Sequence, residues 1–169
     1  MCMLTAECLY PNYSVSLDYI SELGALSAVT APLFNTSVIV LGLTAIFAAY
    51  FLRRGKAITN KAFLGFLVLC GIGSVGVGIF PMDFPLPYAH SMAALLAFLF
   101  GSLAAIASFK FQRAPASYFS IILGLLSLLS LVLFSAGVHL GLGIGGIERM
   151  IAYPTLLWAV MFSGQLMKE

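Results

Sequence analysis

The chain has 169 residues, of which 62% are hydrophobic and 8% are charged. Because so few charged side chains cannot cover the surface of a water-soluble globule, the composition excludes a soluble domain and favours an integral membrane protein. The formal net charge of +2 comes with no extended basic patch interleaved with aromatic residues, so we expect no nucleic-acid partner.

Five hydrophobic stretches of membrane-spanning length follow one another along the chain. Backbone groups in lipid must pair internally, and runs of about 20 apolar residues without strand-like alternation favour helices. We therefore predict an all-α membrane bundle forming a single domain over 1–169, with five transmembrane helices and a short extracytoplasmic amphipathic helix. The predicted parts are an outer segment at 1–32 and spans at about 33–52, 62–80, 88–109, 117–136 and 147–167.

The connections between the predicted spans differ in the sign of their charged residues. The basic residues follow the first, third and fifth stretches, and they are Arg53, Arg54, Lys56, Lys61, Lys110, Arg113 and Lys168. Carboxylates fall at the opposite ends, at Glu7, Asp18, Glu22, Asp83 and Glu148. Since Lys and Arg in short loops are retained on the cytoplasmic side, we predict a multi-pass protein of the cell membrane with its N-terminus outside and its C-terminus in the cytoplasm.

The outer segment contains an amphipathic stretch that begins at Asp18. A short helix there turns Ile20, Leu23 and Leu26 toward the protein or the lipid. Spacings of three and four residues place polar side chains together on one helix face, those of Asp18, Ser21 and Glu22. We expect residues 14–30 to pack over the extracytoplasmic end of the bundle.

Small residues predict how the second and third spans pack. The second span carries glycines in the spacing of a dinucleotide fingerprint, at Gly71, Gly73, Gly76 and Gly78. Because they lie inside an apolar helix, we expect them to let neighbouring helices approach closely instead. In the third span a small residue recurs every four positions, at Ala93, Ala97, Gly101 and Ala105. This stripe predicts a contact face, a central third helix and an inward-pointing His90 at its outer end.

The last two spans contribute a weakly polar stripe and a charged pair. The stripe consists of Ser117, Ser120, Gly124 and Ser127, and its hydroxyls can bond to carbonyls one turn back. An outer loop over 137–146 carries His139 and precedes the fifth span. Helical geometry turns Glu148 toward the bundle, whereas Arg149 is rotated by about 100° and aligns with Tyr153.

Several short motifs together resemble a known family. They are Tyr10-Pro-x-Tyr-Ser, Ile20-Ser-Glu-Leu-Gly, Phe80-Pro with the Pro-rich loop that follows, His90, Gly145-Gly-Ile-Glu-Arg and Tyr153. From about residue 10 onward, the chain resembles a family of prokaryotic polytopic membrane proteins catalogued as domain of unknown function 998. The resemblance implies the membrane architecture and no particular chemistry. Members of that family look like six-span proteins with a helix before the Tyr-Pro motif, so residues 1–9 are expected to be either the remainder of that helix or the start of a five-span protein.

The polar residues predicted at the outer side form a candidate site, and they are Asp18, Ser21, Glu22, Asp83, His90, His139, Glu148 and Arg149. Ionisable groups at the edge of a helical bundle mark either ionic staples or functional sites. In the leading hypothesis Arg149 pairs with Glu22 or Asp18 and fastens the outer segment to the bundle. In this hypothesis the network borders a lipid-binding pocket, and membrane lipid is the expected partner. The residues with a ligand-binding or ion-pair role are Asp18, Ser21, Glu22, Arg149 and Tyr153.

The first alternative is a membrane-embedded hydrolase or transferase that acts on lipid. Its candidate catalytic residues are His90, Asp83 and Glu148, with His90 as the general base. In a metal-dependent version, His90, His139 and Asp83 would hold zinc with an open position for water, although two histidines are few for a zinc site. Arg149 would then bind a phosphate headgroup through paired hydrogen bonds.

The second alternative is a small-solute or proton-coupled transporter. In this reading, His90 and Glu148 exchange protons at the outer side. Transporters usually place such groups near the membrane midplane, and here the predicted midplane is almost purely apolar. A chain of this size would also need to form a homo-oligomer to line a pore.

Overall fold

The protein is all-helical in the computed structural model, which describes residues 2–86 and 88–167. The α-helices are α1 Cys2–Leu9, α2 Ala31–Arg54, α3 Lys61–Ile79, α4 Ala89–Ala107, α5 Ala116–Ser135 and α6 Gly143–Leu166. Two short 3-10 helices cover Ile20–Gly24 and Ser108–Phe111. The all-α fold class is thereby confirmed, since no residue in the described part of the chain lies in a strand.

Four of these helices are long and apolar enough to cross a membrane, which is what a multi-pass membrane protein requires. They are α2, α3, α5 and the continuous stretch Ala89–Phe111 that contains α4. α6 is as long as α2, but Glu148 and Arg149 lie in its second turn, and it is not one of the four in the described part of the chain. Length and composition therefore support four spans, one fewer than the sequence predicts.

The helix ends follow local sequence signals. Pro32 lies in the first turn of α2, where its missing N–H leaves no hydrogen bond unmade. The side-chain oxygen of Asn60 accepts a hydrogen bond from the backbone N–H of Phe63 at 3.0 Å and so caps α3. α6 begins at Gly143, four residues before the predicted start of the fifth span. Lys168, the predicted basic residue after the fifth span, lies outside the described residues.

The helices pack largely in chain order, and small residues set the spacing. α2 packs on α3, α3 on α4, and α5 on both α4 and α6. On α3, Gly71 and Gly78 face α2, whereas Gly73 and Gly76 face α4. A Cβ on Gly73 would lie 2.7 Å from the carbonyl oxygen of Ala93, so only glycine permits this approach. The predicted packing role of these glycines is confirmed.

α4 occupies the centre of the bundle, as the small-residue stripe predicts. Ala93 and Ala97 lie against α3, and Gly101 lies beside Cys70 of α3 and Thr155 of α6. α4 also contacts α5, where Gly124 lies directly against the backbone of Ser102. The third helix therefore has neighbours on three sides.

Two hydrophobic cores mark opposite ends of the bundle. The first lies at the end of the bundle that carries the basic loops, hereafter the basic end, and contains Ala49, Ile58, Phe63, Leu64, Leu67, Ala104, Ala105, Trp158 and Phe162. The second lies at the opposite, acidic end and contains Ala6, Ile20, Leu23 and Phe34. The acidic-end core joins α1 and the outer segment to α2, which anchors residues that precede the long helices.

The outer segment differs from the predicted amphipathic helix. Within the stretch that begins at Asp18, only the 3-10 helix Ile20–Gly24 forms, and the backbone becomes extended at Ala25. Ile20 and Leu23 are buried as expected, but Leu26 is 60% exposed because the helical period ends before it. Asp18 lies in the preceding turn, where its carboxylate accepts the backbone N–H of Ser14 at 2.7 Å. Asp18, Ser21 and Glu22 therefore do not share one helix face.

Candidate functional site

Arg149 is the centre of a buried hydrogen-bond network at the acidic end. Its Nη2 donates to the Glu7 carboxylate and to the Tyr13 hydroxyl, each at 2.6 Å, and Nε donates to Glu7 at 3.2 Å. Its Nη1 donates to backbone carbonyls, those of Val15 at 2.9 Å, Gly145 at 2.9 Å and Asp18 at 3.4 Å. Every nitrogen of the guanidinium group is thus engaged, and the residue is only 4% exposed.

The carboxylate that pairs with Arg149 is Glu7, not Glu22 or Asp18. The Arg149–Glu7 distance is 2.6 Å. Asp18 contributes its backbone carbonyl, while its carboxylate is held by Ser14 in its own turn. Arg149 therefore fastens the outer segment to the bundle, but its ionic partner lies in α1, at the start of that segment.

Tyr13 connects the Arg149 network to the 3-10 helix. Its hydroxyl donates to the carbonyl of Tyr19 at 2.8 Å while it accepts from Arg149. Burial raises the pKa of Tyr13 to about 12, so the phenol stays protonated and keeps its donor role at neutral pH. The guanidinium group also lies 5.5 Å from the centre of the Tyr13 ring.

Two glycines let the outer segment lie directly on the first turn of α6. A Cβ on Gly145 would lie 2.6 Å from the Val15 carbonyl oxygen, and one on Gly143 would meet the backbone of Ser16. The Gly145 N–H donates to the Ser16 carbonyl at 2.9 Å, and the Ser16 hydroxyl donates to the Leu142 carbonyl at 2.6 Å. These contacts explain why the helix begins at Gly143 inside the predicted outer loop.

A cavity of about 540 Å³ lies beside this network, between α4, α5 and the outer segment. We call it the α4–α5 pocket. Its polar lining residues are Tyr19, Ser21, His90, Ser91, Ser135 and Glu148. Its apolar lining residues are Met82, Phe84, Leu86, Ala94, Leu95, Phe98, Leu131 and Phe134, with Tyr88 at the rim. An apolar cavity with a few convergent polar groups is the usual form of a small-molecule site.

Glu148 lies at the polar side of the pocket and is 6% exposed. Its Oε2 accepts the backbone N–H of Ile20 at 2.5 Å, and the N–H of Ser21 adds a weaker interaction. These are the first N–H groups of the 3-10 helix, so a carboxylate from α6 caps the outer segment. Burial raises the pKa of Tyr19, and the nearby carboxylates of Glu148 and Glu22 raise it further.

His90 faces the same pocket from the first turn of α4. Its Nδ1 lies 2.8 Å from the carbonyl oxygen of Phe80. Because a carbonyl can only accept, Nδ1 carries a proton in this contact, and in the neutral ring Nε2 is then a free acceptor. The expected inward orientation of His90 therefore brings it to the pocket that Glu148 also lines.

The other predicted site residues lie elsewhere. Asp83 is exposed on the Pro-rich loop, where its carboxylate accepts the Leu26 N–H at 2.8 Å. His139 lies on the loop between α5 and α6, and Tyr153 is half-buried further along α6. Among the described residues that line the pocket, none of these three occurs, and neither does Arg149.

The predicted metal ligands do not converge. Within residues 2–86 and 88–167, no three His, Cys, Asp or Glu side chains form a group that could hold a metal ion. His90, His139 and Asp83 therefore do not supply the ligand set of a zinc site. Similarly, the structure does not place Asp83 with His90 and Glu148, so two of the three predicted catalytic residues share the pocket.

Sequence reasoning missed Glu7, Tyr13 and Tyr19. Glu7 and Arg149 are 142 residues apart, so no local spacing connects them. The one available signal is that Glu7, like Arg149, is a charged residue in an apolar context, and such residues need a partner.

Comparison with known proteins places the chain in a family. The model of a family described as "Protein of unknown function (DUF998)" matches residues 1–164. No curated protein and no solved structure matches the chain. Because the family match covers nearly the whole sequence, the chain belongs to the DUF998 family of proteins of unknown function.

Proposed function

We propose that this protein binds a membrane lipid in the α4–α5 pocket and that the Arg149 network holds the outer segment over that pocket. The observation that carries the proposal is the position of the pocket. Its apolar wall is built by α4 and α5, and each of these helices is long and apolar enough to cross a membrane. Its polar side contains His90 and Glu148. A lipid has the same division into an apolar chain and a polar head.

The packing of α4 against α5 supports entry from the bilayer. The two helices meet closely where Gly124 lies on Ser102, and the Ser102 hydroxyl donates to Ser127 at 2.8 Å. The pocket occupies the space between their acidic-end halves, beyond this contact. An acyl chain can therefore lie between the helices without opening the rest of the bundle.

The proposed membrane arrangement has five spans, with α6 as the fifth. The basic side chains Arg53, Arg54, Lys56, Lys61, Lys110 and Arg113 belong to helix ends and loops at the basic end, which the positive-inside rule assigns to the cytoplasm. α6 returns along α5 to that end, where Trp158 and Phe162 join the core. α6 differs from the other long helices in the charged turn that contains Glu148 and Arg149, and hydrogen bonds to protein groups satisfy both side chains. In this arrangement the N-terminus lies outside the cell membrane.

Phosphate binding by Arg149 is not part of the proposal. All of its nitrogens already donate to protein groups, and a phosphate would have to displace Glu7 or several carbonyls. The contacts instead support a structural role for this residue. Proton-coupled transport receives no support either, because Ser127 beyond the pocket donates to the Ile151 carbonyl at 2.7 Å within a packed interior.

A second candidate function is metal-independent hydrolysis or acyl transfer on the bound lipid. The observation that favours it is that His90, with Nε2 as a potential base, lines the same pocket as a buried carboxylate. Loss of turnover in His90→Gln with intact lipid binding would separate this activity from binding alone.

Photo-crosslinking in lipid nanodiscs tests the proposed lipid site. A phospholipid with a diazirine in its acyl chain should label peptides from α4 and α5 that line the pocket. Ala94→Trp fills the pocket and should reduce this labelling several-fold. Met92→Trp, at a 63%-exposed position on the same helix outside the described lining, is the matched control and should leave it unchanged. Equal labelling in both variants would contradict the proposal.

A further inference from the structure

We infer that the α4–α5 pocket selects a lipid whose headgroup donates hydrogen bonds and carries no negative charge, such as a hydroxyl or an ammonium group. This inference rests on the proposed lipid-binding function. It adds a headgroup class, which follows from the charges and hydrogen-bonding roles of the lining residues.

The charge of the pocket disfavours an anionic headgroup. Glu148 is the carboxyl group at its polar side, and the described residues that line it include no Lys or Arg. Arg149 is next in sequence to Glu148, but it is not among the described lining residues, and its guanidinium group is paired with Glu7 at 2.6 Å. A phosphate in the pocket would therefore face a buried carboxylate without a compensating cation, which is unfavourable away from water.

The hydrogen-bonding capacity of Glu148 favours a donor. An ionised carboxylate has about four acceptor positions and no proton to donate. The backbone groups of Ile20 and Ser21 use part of this capacity, which leaves acceptor positions for a ligand. A hydroxyl or ammonium proton satisfies such a position, whereas a phosphate oxygen does not.

His90 also presents a hydrogen-bond acceptor to the pocket. Its Nδ1–H is held by the Phe80 carbonyl, so the neutral ring offers Nε2 as an acceptor. The remaining polar lining groups are hydroxyls. That of Ser135 donates to the Leu131 carbonyl at 2.8 Å and that of Ser21 to the Met82 sulfur at 3.8 Å, so both keep acceptor positions. The hydroxyls of Tyr19 and Ser91 can take either role. The fixed groups of the pocket are therefore acceptors, and the adaptable groups can complete the contacts of a donor headgroup.

The test compares lipids that differ only in the headgroup. Diacylglycerol, phosphatidic acid and a primary-amine lipid carry the same diazirine acyl chain in phosphatidylcholine nanodiscs at pH 8. We expect the first and third to label pocket peptides at least fivefold more than phosphatidic acid. The comparison of diacylglycerol with the amine lipid shows whether hydroxyl or ammonium is preferred.

Two substitutions test whether Glu148 causes the headgroup preference, one at that residue and one as a control. Glu148→Gln keeps an oxygen for the Ile20 N–H but removes the charge, so phosphatidic acid labelling should rise toward that of diacylglycerol. Asp83→Asn removes a carboxylate from the exposed neighbouring loop and should leave the ratio unchanged. If Glu148→Gln does not fold, the headgroup ratio in the unmodified protein still decides.

The possible failures are distinguishable. Equal labelling by all three lipids, or preference for phosphatidic acid, would overturn the headgroup inference while the lipid site itself stands. Absence of pocket labelling by any of the lipids would overturn the proposed function and the inference with it.

Discussion

At the residue scale, Arg149 connects parts of the chain that are distant in sequence. Its side chain joins α6 to α1 through Glu7 and to the outer segment through Tyr13 and the Val15 carbonyl. A buried arginine with several hydrogen-bond partners is costly to remove, because its partners then remain buried and unpaired. This is the physical basis for its structural role.

We predict that Arg149→Ala destabilises the folded protein by about 3–5 kcal/mol, because it leaves the Glu7 carboxylate and the carbonyls without their donor. Thermal unfolding of the purified protein in detergent measures the loss. Arg113→Ala, at an exposed position of the α4–α5 loop, is the control and should unfold like the parent. An unchanged midpoint for Arg149→Ala would refute the structural role.

The raised pKa of Tyr13 predicts that the stability of the folded protein falls at alkaline pH. Its pKa in the folded protein is raised from the usual 10.0 to about 12, chiefly by burial, so folding favours the protonated phenol. Its contribution is therefore fully present below pH 10 and is lost as the pH rises toward 12. Unfolding midpoints measured across this range should fall less steeply in Tyr13→Phe, whereas Tyr118→Phe should follow the parent. Parallel curves for Tyr13→Phe and the parent would show that Tyr13 does not contribute.

His90→Ala should separate binding from folding. It removes one hydrogen bond, that to the Phe80 carbonyl, which costs about 1 kcal/mol. We expect near-normal unfolding together with reduced pocket labelling by the lipid probe. His139→Ala, on a loop away from the described pocket lining, should change neither quantity. Full labelling in His90→Ala would remove this residue from the site.

At the element scale, the first turn of α6 depends on direct contact with the outer segment. Gly145→Ala introduces a methyl group where the Val15 carbonyl lies 2.6 Å away, so the segment must shift. We predict a loss of about 1–3 kcal/mol in unfolding free energy. Gly164→Ala lies in the same helix with open space around it, and its better helix propensity should raise stability by up to about 1 kcal/mol. Equal effects of both changes would contradict this docking.

The long helices and their packing faces could be predicted from the sequence, because both depend on local patterns. Apolar runs and the residues that end them fixed α2 to α5 within a few positions, and the glycines of α3 indicated close neighbours. The outer segment could not be predicted in the same way. Its 3-10 helix is capped by Glu148 from α6, a contact over 128 residues, and its period ends before Leu26.

Only part of the candidate site could be predicted, because helix periodicity shows which side chains face the interior but not which distant residues meet there. Periodicity correctly turned His90 and Glu148 toward the interior, and both line the pocket. Which carboxylate reaches Arg149 depends on where α1 packs against α2 and the 3-10 helix, and the sequence contains no spacing that specifies this. Likewise, the pocket is a gap between α4, α5 and the outer segment, and helix periodicity does not predict a gap between elements.

At the scale of the whole molecule, the sorting of charges predicts the orientation in the membrane. In a variant lacking its native cysteines, Leu140→Cys should react with an impermeant maleimide on intact cells. Ala57→Cys and Met167→Cys should react only after permeabilisation, because the positive-inside rule places the α2–α3 loop and the C-terminal end of α6 in the cytoplasm. Reaction of Met167→Cys from outside would show that α6 does not cross and that the protein has four spans.

Native mass spectrometry of the detergent-purified protein shows whether the α4–α5 pocket holds a lipid. We predict one tightly retained lipid per chain, lost in Ala94→Trp and kept in Met92→Trp. The same lipid adducts in both variants, or none in the unmodified protein, would contradict lipid binding in the α4–α5 pocket.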